Sequence, residues 1–238
     1  MSIMKKMFIA TLLVSLYSCS NICYQVVSTK PCDSNINPND MIYEDDNCII
    51  SYDLWSENGE LKFTLNNKTD KVIYVNLKES WFVLNGEAHD YYMYRTFTTE
   101  YVSKKECDII SIPPYSFKRF GEFCLMKNAY KDCSINEMPT NRRPCKPVYY
   151  TKDNSPIKFR NVLTYIIEGR PIMVTNQFFV AEIFNTTEKD FITTEPATNS
   201  LGEPIGVKYV SKYRLPYNFY IKYQATSQYQ STPDSWGW

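Results

Sequence analysis

Between Leu61 and Gly86 the chain alternates apolar and polar residues with a period of two. Leu61, Phe63 and Leu65 are separated by Lys62, Thr64 and Asn66; after the turn residues Asn67-Lys68-Thr69-Asp70, Ile73, Val75 and Leu77 alternate with Tyr74 and Asn76. Only a pleated strand with one face buried places every second side chain on the same side. Trp81-Phe82-Val83-Leu84 then runs into Asn85-Gly86. Both turn residues tolerate the positive φ of a type I′ hairpin, which predicts a returning strand over His89 to Phe97. Strand patterns recur at Cys48–Trp55, Cys107–Ile112 (stopped by Pro113-Pro114), Ser116–Leu125, Ile157–Ile167, Ile172–Phe184, Gly206–Tyr213 and Tyr217–Tyr223. No long segment has helical spacing, and Met126–Cys133 reads as a short turn of helix at most. With 20 tyrosines and only 7 glycines the composition suits pleated sheet. The expectation is a mainly β chain, an antiparallel β-sandwich over residues 41–224 with long loop insertions, residues 126–147 forming a polar loop and residues 225–238 a loosely ordered tail.

The first residues carry a different signal. Lys5 and Lys6 precede the apolar run Met7–Leu16, which is too short for the ~20 residues of a membrane span but fits the apolar region of an export signal helix over residues 1–18. Leu16-Tyr17-Ser18-Cys19 resembles the bacterial lipobox. That resemblance implies a diacylglycerol on the Cys19 thiol, cleavage before Cys19, and anchoring in a membrane by two or more acyl chains. Residues 19–40, with Ser28-Thr29-Lys30-Pro31 and Asn37-Pro38-Asn39-Asp40, read as a polar tether between that anchor and the sandwich.

Eight cysteines are present. Assigning Cys19 to lipid leaves Cys23, Cys32, Cys48, Cys107, Cys124, Cys133 and Cys145, an odd set that requires a free thiol or an intermolecular bond. Cys124, Cys133 and Cys145 are close enough in sequence for a local staple, although sequence does not assign partners. No C-x-x-C pair exists and the single histidine, His89, is remote from the cysteines, which speaks against zinc. No clustered basic face is visible, which sets nucleic acid aside.

Catalytic patterns are sparse. His89-Asp90 has the residue types of a base and its orienting carboxylate, but no nucleophile in a strained turn accompanies it. Glu44-Asp45-Asp46-Asn47 is oxygen-rich without the alternating spacing or the glycine of a calcium loop, and reads as a solvated turn. No cofactor motif is present, and no enzyme is expected. The aromatic clusters are the ligand-binding candidates: Tyr91, Tyr92 and Tyr94, and Tyr217 and Tyr220, are the rings a sugar or a partner protein would use.

The stretch Asn67-Lys68-Thr69-Asp70-Lys71-Val72-Ile73-Tyr74-Val75-Asn76-Leu77 with Phe82-Val83-Leu84-Asn85-Gly86, and the start Cys19-Ser20-Asn21-Ile22-Cys23-Tyr24-Gln25-Val26, resemble a group of Bacteroides-type bacterial lipoproteins. The core is similar also to small immunoglobulin-like extracytoplasmic domains. The resemblance implies an immunoglobulin-like sandwich, a place in the cell envelope and outer-membrane anchoring, and supplies no chemistry. Ser20-Asn21-Ile22 lacks the acidic residues that often follow the lipid cysteine of surface-exposed members, which favours a periplasm-facing protein. The functional expectation is therefore a lipid-anchored, non-catalytic binding or scaffolding module, whose partners are the membrane through Cys19 and an envelope protein or glycan. The alternative is a surface glycan-binding or adhesion lipoprotein using the tyrosine clusters.

Overall fold

The computed structural model describes residues 22–92, 108–130, 139 and 145–224. The expected signal helix, Cys19, Tyr94, Cys107, Cys133 and the tail after Gln224 lie outside those residues. Within them the chain forms β1 (Ile22–Pro31), β2 (Ile36–Asn37), β3 (Ile42–Glu44), β4 (Cys48–Asp53), β5 (Glu60–Asn67), β6 (Ile73–Leu84), β7 (Glu87–Asp90), β8 (Ile109–Ile112) and β9 (Phe117–Cys124). The second half adds β10 (Val148–Tyr149), β11 (Lys158–Ile167), β12 (Arg170–Thr187), one helical turn α1 (Glu188–Phe191), β13 (Ile192–Thr198), β14 (Pro204–Ser211) and β15 (Asn218–Gln224).

Two antiparallel sheets build the sandwich. The larger runs β15-β1-β12-β11-β6-β7, with β10 beside β12 and β8 beside β6; the smaller runs β2-β3-β4-β5-β9. The mainly β antiparallel sandwich expected from the sequence is what forms. Leu61, Phe63 and Leu65 of β5 and Ile50 and Tyr52 of β4 join Phe159 and Tyr165 of β11 and Phe178 and Val180 of β12 in one buried cluster. Tyr52 meets Phe178 edge-on with ring centroids 4.9 Å apart, and Phe178 stacks on Phe159 at 5.0 Å. Burying each such side chain contributes about 1.5–3 kcal/mol.

Turn chemistry sets the register. Asn85 and Gly86 take φ of 49° and 95°, closing the predicted hairpin with Leu84 opposite Glu87. Glu168 and Gly169, at 48° and 77°, close β11 onto β12 in the same way. Between Asn76 and Trp81, β6 bows away from β11. Ser80 fills the gap, its Oγ accepting from the Thr164 amide at 3.0 Å and donating to the Asn76 carbonyl at 2.6 Å. No helix forms over the described part of the segment expected to start one, residues 126–130.

The tether expected over residues 19–40 is not a tether from Ile22 onward. Residues 22–31 are β1, paired with β12 on one side and β15 on the other, and Cys23 through Val27 are buried. Residues 36–37 pair with β3 in the smaller sheet. Because β1 is covered on both faces, its core half shows no alternation, and only its polar end, Ser28–Lys30, resembles a linker.

β13 and β14 pair only with each other, among the described residues. They form a ribbon of two strands that leaves the sandwich after α1, with most side chains in solvent.

Candidate functional site

The outer face of the larger sheet, the one turned away from the sandwich core, divides into two rows. In the first row, Tyr220, Val26 and Phe184 lie side by side on β15, β1 and β12. A small second core covers this row: Tyr24, Val26 and Phe191 are buried, and Ile22, Trp55, Ile192, Tyr213 and Tyr220 pack around them. The second row is polar. Asn218, Ser28, Glu182 and Tyr149 lie in register across β15, β1, β12 and β10.

Part of that polar row floors a cleft of about 570 Å³, walled by Tyr213 and Tyr217 from the β14–β15 connection and by Asp190 of α1. Asn218 is only 4% exposed. Its Nδ2 donates to the Tyr213 carbonyl at 2.9 Å, which fixes the amide orientation. Its Oδ1 is buried and accepts no hydrogen bond within the protein. A buried acceptor without a donor costs about 1–3 kcal/mol, which a ligand hydroxyl or amide N–H would recover. Burial raises the Glu182 pKa, with Lys30 and the Tyr149 hydroxyl acting in the other direction. The cleft thus combines an amide acceptor, the Ser28 hydroxyl and the Glu182 carboxyl, beside two tyrosines. Such a site offers several hydrogen-bonding partners to a hydroxyl-bearing ligand.

Of the four expected aromatics among the described residues, only Tyr217 lines this cleft. Tyr91 is buried, and its hydroxyl donates to Asn161 Oδ1 at 2.8 Å inside the sandwich. It is a core residue rather than a ligand platform. Tyr92 is half-buried under the Lys78 ammonium, 4.9 Å from the ring centre. Tyr220 is committed to packing, with centroids 5.0 Å from both Trp55 and Phe191. Tyr94 is outside the described residues. Asn218, Glu182 and Ser28 were not anticipated; only cross-strand register brings them together, and no local motif marks them.

The other candidates resolve into structural roles. His89 and Asp90 are successive residues of β7 and so point to opposite faces. Asp90 accepts the Tyr92 amide at 2.7 Å, and burial lowers the His89 pKa. Asp45 accepts the amides of Asn47 and Cys48 at 2.8 and 2.7 Å and the Tyr165 hydroxyl at 2.9 Å, so its acidic turn is a clasp between strands. Beside it the buried Cys48 thiol is pushed up to about 12, chiefly by desolvation, and stays protonated at neutral pH. Cys23, Cys32, Cys48 and Cys124 carry free thiols. Among the described residues no three of His, Cys, Asp and Glu converge as metal ligands, and no helix is long and apolar enough to cross a membrane.

Fold and cleft together define a β-sandwich with a polar, tyrosine-walled cleft on the outer face of its larger sheet. In comparison with known proteins, the chain matches no family model, no curated protein and no solved structure.

Proposed function

We propose that this chain is a lipid-anchored, non-catalytic binding module of the bacterial cell envelope, held in the outer membrane and facing the periplasm. The observation that carries the reading is the run from Lys5 to Cys19: two lysines, ten apolar-region residues from Met7 to Leu16, and Leu16-Tyr17-Ser18-Cys19. The cleft supplies the binding half of the proposal. Replacing Cys19 with Ser and following palmitate incorporation and membrane retention tests the anchor. Both are expected to be lost, and unchanged labelling overturns the reading.

A second reading makes the cleft a glycan site. The unfilled Asn218 acceptor and the Tyr213 and Tyr217 walls support it, since sugars offer hydroxyls to buried acceptors and apolar faces to aromatic rings. Titration calorimetry with neutral envelope oligosaccharides, on the intact chain and on Asn218→Ala, tests it. Binding that weakens about tenfold or more in the variant, the loss of one hydrogen bond to a buried group, supports this reading; no binding by the intact chain removes it.

A further inference from the structure

The β13–β14 ribbon has two unlike faces. Val207 and Tyr209 project from one side of β14 and are 64% and 76% exposed, and Ile205, 65% exposed, sits at the bulge where the register with β13 shifts. Thr194 and Pro196 sit opposite Tyr209 and Val207 on the same side. On the other side Lys208 and Glu195 form a cross-strand ion pair at 3.4 Å. Leu201, at the tip, is 82% exposed. A two-stranded ribbon by itself is marginal in water, and one that shows its apolar stripe to solvent has left unburied the surface that would stabilise it.

The root of the ribbon lies at the start of β1. Ile192, the first residue of β13, and Ile22, the first of β1, both pack on the Tyr24, Val26 and Phe191 cluster. Cys23 is opposite Thr187, the last residue of β12 before α1 and the ribbon. Backwards from Ile22 and forwards from Thr187, the chain therefore leaves the larger sheet at one and the same end. Cys19 is three residues before Ile22, a link of at most about 10 Å of extended chain. The ribbon, with eight residues in β14, is about 25 Å long at ~3.3 Å per residue. A bilayer that holds acyl chains on Cys19 is thus within reach of the ribbon.

We propose that the face of the ribbon bearing Val207 and Tyr209 rests on the bilayer that the Cys19 acyl chains enter. This rests on the lipid-anchor reading above and deepens it. Four apolar side chains offer well under the ~800 Å² per partner of a stable protein interface, so a second copy would be held poorly. A lipid surface makes no such demand, because the acyl chains supply retention and the ribbon has only to bury its stripe. Tyrosine at the end of an apolar stripe suits the headgroup boundary. The ion-paired face of Lys208 and Glu195 then turns to water.

The test uses the full chain, produced in a bacterial host that lipidates it and reconstituted in phosphatidylethanolamine and phosphatidylglycerol vesicles. Benzoylphenylalanine replaces Val207 in one sample and Lys208 in another, and palmitate labelling is read on both. On illumination, position 207 is expected to crosslink to phospholipid several-fold more than position 208. Equal crosslinking, or a crosslinked dimer in place of lipid adducts, overturns the ribbon contact while the palmitate label leaves the anchor standing. Absence of the label overturns the anchor, and the ribbon contact falls with it. Both positions are solvent-exposed, and an unchanged unfolding midpoint verifies that each variant folds.

Discussion

The ring of Tyr24 lies flat on that of Phe191, with centroids 4.0 Å apart and planes 5° from parallel. One ring belongs to β1, the other to the helical turn that launches the ribbon. The Lys212 amide, donating to the Phe191 carbonyl at 3.0 Å, brings the returning strand to the same point. This contact fixes where the ribbon leaves the sandwich.

Replacing Phe191 with Ala is expected to destabilise the chain by about 3 kcal/mol, near the low end for a buried phenylalanine because the cluster is small and half-open. Amide exchange should rise in β13 and β14 and stay unchanged in β4 and β5. Uniform loss of protection across both sheets would contradict the local role.

Tyr52 joins the two sheets through polar contacts in a dry interior. Its hydroxyl accepts from Asn161 Nδ2 at 3.0 Å and from Asn176 Nδ2 at 2.8 Å. Tyr52→Phe leaves two buried amide groups without that acceptor, and a loss of about 2–4 kcal/mol in urea unfolding is expected at about 1–3 kcal/mol per unsatisfied group. A change below 1 kcal/mol would show that the amides find other partners. Ser80→Ala provides a smaller case of the same kind, about 1 kcal/mol or more, by stranding the Thr164 amide.

Gly59 is held by two constraints at once. Its φ is +68°, and a Cβ there would sit 2.7 Å from the ring of the buried Phe219. Gly59→Ala is therefore expected to cost about 2–3 kcal/mol, combining the strained backbone with overpacking. The melting temperature of the variant checks this; no decrease would mean that Phe219 moves freely.

Burial lowers the His89 pKa, with Glu87 opposing, so the folded protein binds that proton less readily than the unfolded chain, whose value is near 6.5. Stability from this group is present above pH 6.5 and is lost as pH falls from there through the lower folded value. Urea midpoints from pH 7.5 to pH 5 should fall more steeply for the native chain than for His89→Gln. Parallel curves would remove the assignment.

The parts of the fold legible in the sequence are those with one wet face and one dry face. β5 and the first half of β6 alternate because Phe63 and Val75 face the core while Thr64 and Tyr74 face outwards, and Asn85-Gly86 has few other uses. β1 hid for the opposite reason. With Val26 covered by the aromatic cluster and Val27 by the main core, both faces are buried and the period disappears. β13 hid because neither face is buried. The cleft was the least legible part: Ser28, Glu182 and Asn218 come from three strands, and only the register of the larger sheet makes them neighbours. Tyr91 and Tyr220 show the limit of reading rings as sites, since a row of tyrosines looks the same whether it packs or projects.

The placement of β1 also sets an order of events. Gln25 bonds to Asn185, 160 residues further along the chain, and β15, its other neighbour, comes later still. As the chain emerges from its N-terminal side, the apolar run Val26-Val27 has no sheet to join until almost all of the sandwich has been made. Contacts of such sequence separation form slowly, and the strand that waits is exposed meanwhile. Folding must therefore be late and nearly all at once, because β1 can dock only after β12 and β15 exist to flank it.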